Sequence, residues 1–248
     1  MTGENSSASS SGRMTHKRAV EIALNDPATR AALAGDPQVA QRRRLYAHNA
    51  AGLLKELAGL GFQVESVGEL ARQHVKYEVA VPVLLKWLPR VGYLPLAEDI
   101  VRTLSVGFAR KHALPEFLKF FRQPPEVDDP MRPATSEPAS EHLRWVIGNG
   151  LGILAGPSVA NELIDLALDR RLGQARTQIV LALPKTKDGR VADVLVSLLS
   201  DSTVNAFAVE ALGKMKVTTA REPIAELLEH PDRNVRDQAK KALKRIDG

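Results

Sequence analysis

Asp232-Arg233-Asn234-Val235-Arg236-Asp237-Gln238-Ala239-Lys240-Lys241-Ala242-Leu243-Lys244-Arg245-Ile246 is the stretch that decides the fold. Its apolar residues Val235, Ala239, Ala242, Leu243 and Ile246 stand at offsets 0, 4, 7, 8 and 11. That spacing lines one face of an α-helix. The same offsets recur at Val204, Ala208, Ala211, Leu212 and Met215, and at Leu143, Ile147, Gly150, Leu151 and Leu154. They recur again at Ala175, Ile179, Ala182 and Leu183, with Thr186 in the last place. The marker leucines Leu151, Leu183, Leu212 and Leu243 are 32, 29 and 31 residues apart.

Between them lie two more helical stripes. One is Val191, Val194, Leu195, Leu198 and Leu199; the other is Ala220, Ile224, Leu227 and Leu228. Each unit is therefore two helices and two turns. One such hairpin cannot bury its own apolar face, so stacked neighbours must share a core. The chain is predicted to be an all-α solenoid of helical hairpin repeats. Gly150, Ala182, Ala211 and Ala242 precede the marker leucines and allow close helix approach. Gly152, Pro184 and Gly213 follow three of them and are expected to loosen or bend the end of the second helix.

Residues 1–14 read as a disordered Ser-rich tail, and 15–248 as one domain with its clearest repeats at 140–246. Helices are expected over 15–24 and 27–33. A longer one opens at Asp36-Pro37, reaches Leu57 and stops near Gly59 and Gly61. Ser66-Val67-Gly68-Glu69 has capping-box spacing and starts a short helix to about His74. Further helices run from Val81 to Leu88, Leu96 to Arg110 and Leu114 to Phe121. Five prolines within 123–138 mark a loop, the one long interruption.

Asp232-Arg233-Asn234-Val235-Arg236, followed by Ala239, Ala242 and Leu243, resembles the second helix of a HEAT repeat. It is especially similar to the short HEAT-like repeats of phycobilin lyases and many bacterial proteins. Asp201-Ser202-Thr203-Val204-Asn205 matches it with Asn205 replacing the arginine, and Leu143-Arg144-Trp145 is a third version. The resemblance covers roughly 140–246, with a degenerate repeat upstream through Pro82 to Phe121. The segment Glu65 to Val91 looks like the front end of uncharacterised bacterial HEAT-repeat proteins. The resemblance implies a fold, and second helices that line a concave face. It implies little about function.

Cysteine is absent, which excludes disulfides, Cys-ligated zinc and thiol nucleophiles. The N-terminus lacks a signal-peptide pattern, and no apolar run approaches the roughly 18–20 residues of a membrane span. A cytoplasmic protein with no membrane partner is expected. The six histidines (16, 48, 74, 112, 142 and 230) are unpaired at helical spacing, so no metal site is expected. Gly150-Leu151-Gly152-Ile153-Leu154-Ala155 mimics a dinucleotide fingerprint but lies inside a helical pattern, where glycines serve packing. The paired carboxylates Asp128-Asp129 read as solvated. No catalytic residue and no cofactor are expected, and the chain is read as not an enzyme.

The net charge is +5, the surplus recurring after the marker leucines as Lys185 and Lys187, Lys214 and Lys216, Lys244 and Arg245. Stacking would align these in a basic ridge able to track a phosphate backbone. Helix C-termini favour cations in any case, and that reading is preferred. Arg42-Arg43-Arg44 reads as a solvated face, Trp145 as part of the repeat core pattern. Arg144, Asn205 and Arg236 share the position after the first apolar residue. They suit an inter-repeat ladder to Asp201 and Asp232, or, together with Lys240, contacts to a protein on the concave face. The leading expectation is a non-catalytic scaffold whose concave face binds a protein of unknown identity. The alternatives are a nucleic-acid-binding solenoid using the basic ridge, and a HEAT-like lyase-type enzyme or cofactor handler.

Overall fold

The computed structural model describes residues 35–73 and 76–248. The expected tail, the helices over 15–24 and 27–33, His16 and His74 lie outside the described residues. The chain divides into two compact units, Met1–Leu45 and Tyr46–Gly248.

Helix α1 runs Pro37–Gly59, opened by Asp36, whose carboxylate accepts the Gln38 N–H at 2.7 Å. Helix α2 is only Glu69–Arg72. The expected capping box does not form: Gly68 precedes the helix with no side-chain cap, and Glu69 instead accepts the backbone N–H of Glu65 at 3.0 Å and the Ser66 hydroxyl at 3.3 Å. Ten further helices form five hairpins. These are α3 (Val81–Trp87) with α4 (Leu94–Leu104), and α5 (Arg110–Arg122) with α6 (Ala139–Leu154). Then come α7 (Ala160–Leu168) with α8 (Arg176–Ala182), α9 (Val191–Ser197) with α10 (Asn205–Met215), and α11 (Arg221–Glu226) with α12 (Arg233–Asp247). Second helices stack: α4 on α6, α6 on α8, α8 on α10 and α10 on α12.

The degenerate repeat expected upstream through Pro82 to Phe121 is present, its first hairpin beginning at Val81. The helix expected from Leu96 to Arg110 ends at Leu104, because Ser105 and Val106 leave helical geometry. Leu96, Ile100, Thr103 and Leu104 hold the repeat offsets and are fully buried or nearly so. The Pro-rich loop is thus an insertion inside the second hairpin, between α5 and α6. It folds back on the first hairpin: Asp128 N–H donates to Gly92 O at 2.8 Å, and Leu94 N–H donates to Asp128 O at 2.9 Å.

The small residues act as predicted at the contacts and differently at the helix ends. A methyl group on Gly150 would sit 2.7 Å from Phe117 and from the Ser105 hydroxyl. Gly152 and Gly213 lie inside α6 and α10; a Cβ on Gly213 would meet Ala242 at 2.7 Å, whereas one on Gly152 would find ordinary space. Pro184 does end regular helix, turning Leu183–Thr186 into a 3-10 turn.

Lys187 and Lys216 close α8 and α10 at equivalent places, with φ of 56° and 55°. Left-handed backbone favours glycine there. Lys216→Gly is expected to stabilise the chain by about 0.5–1 kcal/mol, strain relief exceeding glycine's greater unfolded freedom. The check is a rise in the urea midpoint; a fall would show that no strain is held there.

Candidate interaction surface on the second helices

The second helices pack closely on one another, while the first helices make far fewer contacts among themselves. A stack drawn together on one side curves with that layer inward. The inner wall is therefore built from α4, α6, α8, α10 and α12.

On α6 the core stripe is Leu143, Ile147, Gly150, Leu151 and Leu154, all buried. Trp145 lies two residues past Leu143, about 200° around the helix, and so points away from that stripe. It is 40% exposed and not part of the repeat core, contrary to the expectation from sequence. Thr177 and Ala206 take the same place on α8 and α10 and are buried. Small side chains there let α8 and α10 pack closely, whereas on α6 the indole stands out from the wall.

A cleft of about 310 Å³ adjoins the indole, lined by Glu141, Arg144, Arg171, Gly173 and Gln174 among others. Gly173 shapes its far wall with φ 52° and ψ −137°, a backbone that only glycine takes readily. Arg144 bonds both oxygens of Glu141, at 2.7 and 2.8 Å, through Nη1. Its Nε is buried with no acceptor. Arg171 grips both oxygens of Asp169 at 2.8 Å and holds that carboxyl down at about 2, burial opposing. His142 stacks beside Trp145, ring centroids 6.3 Å apart. Its Nε2 meets Glu98 of α4 at 2.9 Å and its Nδ1 meets Glu137 of the Pro-rich loop at 3.0 Å. Two carboxylates on separate elements thus fix the imidazole against which the tryptophan rests.

The position shared by Arg144, Asn205 and Arg236 faces sideways, between stacked second helices. Its fourth occupant is Arg176, which the sequence reading passed over although it follows Ala175 as Arg236 follows Val235. Arg176 is 1% exposed and donates to Asp201 of the next repeat at 2.9 Å. It also donates to the carbonyls of Ala167 and Gly173, each at 3.1 Å. Burial opposes ionisation of Asp201, but hydrogen bonds from Arg176 and from the backbone N–H of Thr203 outweigh it and hold the carboxyl below its ordinary value. Asn205 is buried, and its amide meets His230 Nε2 at only 3.5 Å. Arg236 turns back to the carbonyls of His230 and Pro231, at 2.6 and 2.8 Å. Asp232 caps α12 through the Asn234 N–H. The ladder therefore has one full rung, Arg176 to Asp201. Lys240 is exposed on α12.

The ridge lysines occupy one edge, at the ends of the second helices. Lys185 donates to Gly152 O at 2.6 Å and Lys214 pairs with Glu210 at 2.6 Å. Lys187, Lys216, Lys244 and Arg245 are exposed. Gly150-Leu151-Gly152-Ile153-Leu154 lies within α6, so the fingerprint-like run forms no phosphate loop.

Stacked two-helix repeats, an inner wall of second helices and a lateral arginine rung define an α-solenoid. Its last two hairpins match a known family: the model for HEAT repeats covers residues 192–248. No curated protein matches the chain.

Proposed function

We propose that this chain is a non-catalytic, cytoplasmic scaffold that binds a segment of another protein on its inner wall, seated at Trp145. One observation carries the reading: an indole 40% exposed on the inner wall, beside a cleft. Tryptophan and arginine are the residues that most often dominate binding energy at interfaces. The clamp on His142 holds the indole in place before a partner arrives, which lowers the ordering cost of binding. The exposed Gln174 side chain adds a polar group at the cleft wall. Among the described residues, no group of three His, Asp or Glu side chains is placed to hold a metal.

Affinity capture from a nuclease-treated native extract, with wild-type chain and Trp145→Ala side by side, tests the reading. The variant should lose about 2 kcal/mol or more, roughly thirty-fold in retention of a specific protein. Equal recovery by both would remove Trp145 from the interface. Recovery that vanishes with nuclease would favour the nucleic-acid alternative.

A further inference from the structure

The starts of first helices and the ends of second helices meet along one edge of the stack, and that edge has an unusual composition. Four of the seven large apolar side chains exposed among the described residues lie on it. Val79 (62%) stands in the turn leading into α3, and Phe108 (41%) in the turn leading into α5. Ile153 (49%) lies in the last turn of α6, and Met215 (36%) ends α10.

The same edge gathers cations. Arg110 and Lys111 begin α5, Lys185 and Lys187 follow α8, and Lys216 follows α10. Lys244 and Arg245 lie in the last turn of α12. Among the described residues, none of these has a carboxylate within ion-pair distance. The acidic residues Asp188, Glu210 and Asp247 are held by Arg190, Lys214 and Arg221, while Glu78 and Glu222 also stand on this edge, exposed. The opposite edge mixes signs, with Asp169, Arg170, Arg171, Asp232 and Arg233 side by side.

Bonds between successive repeats make the edge continuous. Arg110 donates to Ala155 O at 3.2 Å, Lys185 to Gly152 O, and Arg190 to Asn161 at 2.6 Å. Neighbouring helices pack roughly 8–10 Å apart, so the cations recur along the edge at about that interval.

We infer that this edge docks on an anionic phospholipid surface. The row of lysines and arginines faces the headgroups, and Val79, Phe108, Ile153 and Met215 enter the interfacial layer. Both components are what interfacial binding uses: apolar side chains on projecting turns and cations beside them. A nucleic acid would use the cations but not the aliphatic side chains, since base stacking requires aromatic faces. A protein interface would gather its apolar residues into one packed centre, whereas these are set singly among charges. No helix among the described residues is long and apolar enough to cross a membrane, so the contact is peripheral. The sequence-based expectation of no membrane partner rested on the missing spanning segment, which does not bear on a peripheral edge.

Co-sedimentation of the full chain with extruded vesicles tests this. One set contains about 30 mol% phosphatidylserine and the other phosphatidylcholine alone, at ~0.1 M salt. Binding should require the anionic lipid and weaken with added salt. Lys187→Gln with Lys216→Gln should weaken it about twenty-five-fold, or roughly fivefold per lysine. Ile153→Ser with Met215→Ser should weaken it while leaving its salt dependence unchanged. Circular dichroism confirms that both variants stay folded. Equal pelleting with both vesicle sets, or none, overturns the inference. So does tight binding of a duplex of roughly 20 base pairs without vesicle binding, which would assign the cations to nucleic acid.

Discussion

Asp201→Ala is expected to destabilise the solenoid by about 3–5 kcal/mol, because it strands the Arg176 guanidinium in the interior. The side chains of Arg176 and Asp201 are 1% and 6% exposed. Without the carboxylate, Arg176 keeps only the carbonyls of Ala167 and Gly173. The substitution also removes the acceptor for the Thr203 N–H at the start of α10. Asp232→Ala is the internal control. It removes the equivalent cap in the last repeat, where Asp232 is exposed, and should cost only about 1 kcal/mol. Urea unfolding followed by circular dichroism compares them. Equal losses would mean that the buried pair adds nothing beyond its cap.

The same pair sets a pH dependence. The folded-state carboxyl of Asp201 titrates below its unfolded value. Its contribution is therefore complete above the unfolded carboxylate range, near 4, and is lost as pH falls through that range toward the folded value. The gap between wild type and Asp201→Ala should be full near neutrality and narrow in acid.

Gly213→Leu is expected to break the contact between α10 and the terminal helix. A Cβ at Gly213 would stand 2.7 Å from both Cα and Cβ of Ala242. A backbone atom cannot move aside by changing rotamer, so the helices must separate. Overpacking of this kind costs about 1–3 kcal/mol, and here it falls on the stack's last hairpin, which has a neighbour on one side only. Limited proteolysis should then cut within 216–220 and release α11 and α12. Gly152→Ala provides the contrast. Its Cβ would find ordinary space, 3.7 Å from Gln178 O and 3.8 Å from Ala182. It should stabilise α6 by about 0.5–1 kcal/mol, as alanine favours helix interiors.

The second helices from α6 onward were legible because an amphipathic helix packed on both sides writes its core stripe at fixed offsets. The hairpin of α5 and α6 was hidden because the insertion at 123–138 separates its helices. The repeat in α4 was masked by Thr103 in a place otherwise held by alanine or glycine. Where the Pro-rich loop lies depends on the pairing of Tyr93 with Asp128, a contact between distant parts of the chain that no local pattern encodes. Trp145 was misread because apolar character alone suggested core. Its angular place on the helix, two residues past Leu143, already pointed it outward. The basic ridge was visible from spacing, but the apolar companions on its edge come from different elements and met only in the folded stack.

Photo-cross-linking from two positions would test the inner-wall scaffold most directly. A benzoylphenylalanine replaces Trp145 in one protein and Leu168, exposed on a first helix, in the other. After irradiation in nuclease-treated native extract, position 145 should yield one discrete protein adduct and position 168 none. An adduct of equal strength from both positions, or from position 168 alone, would contradict binding on the inner wall.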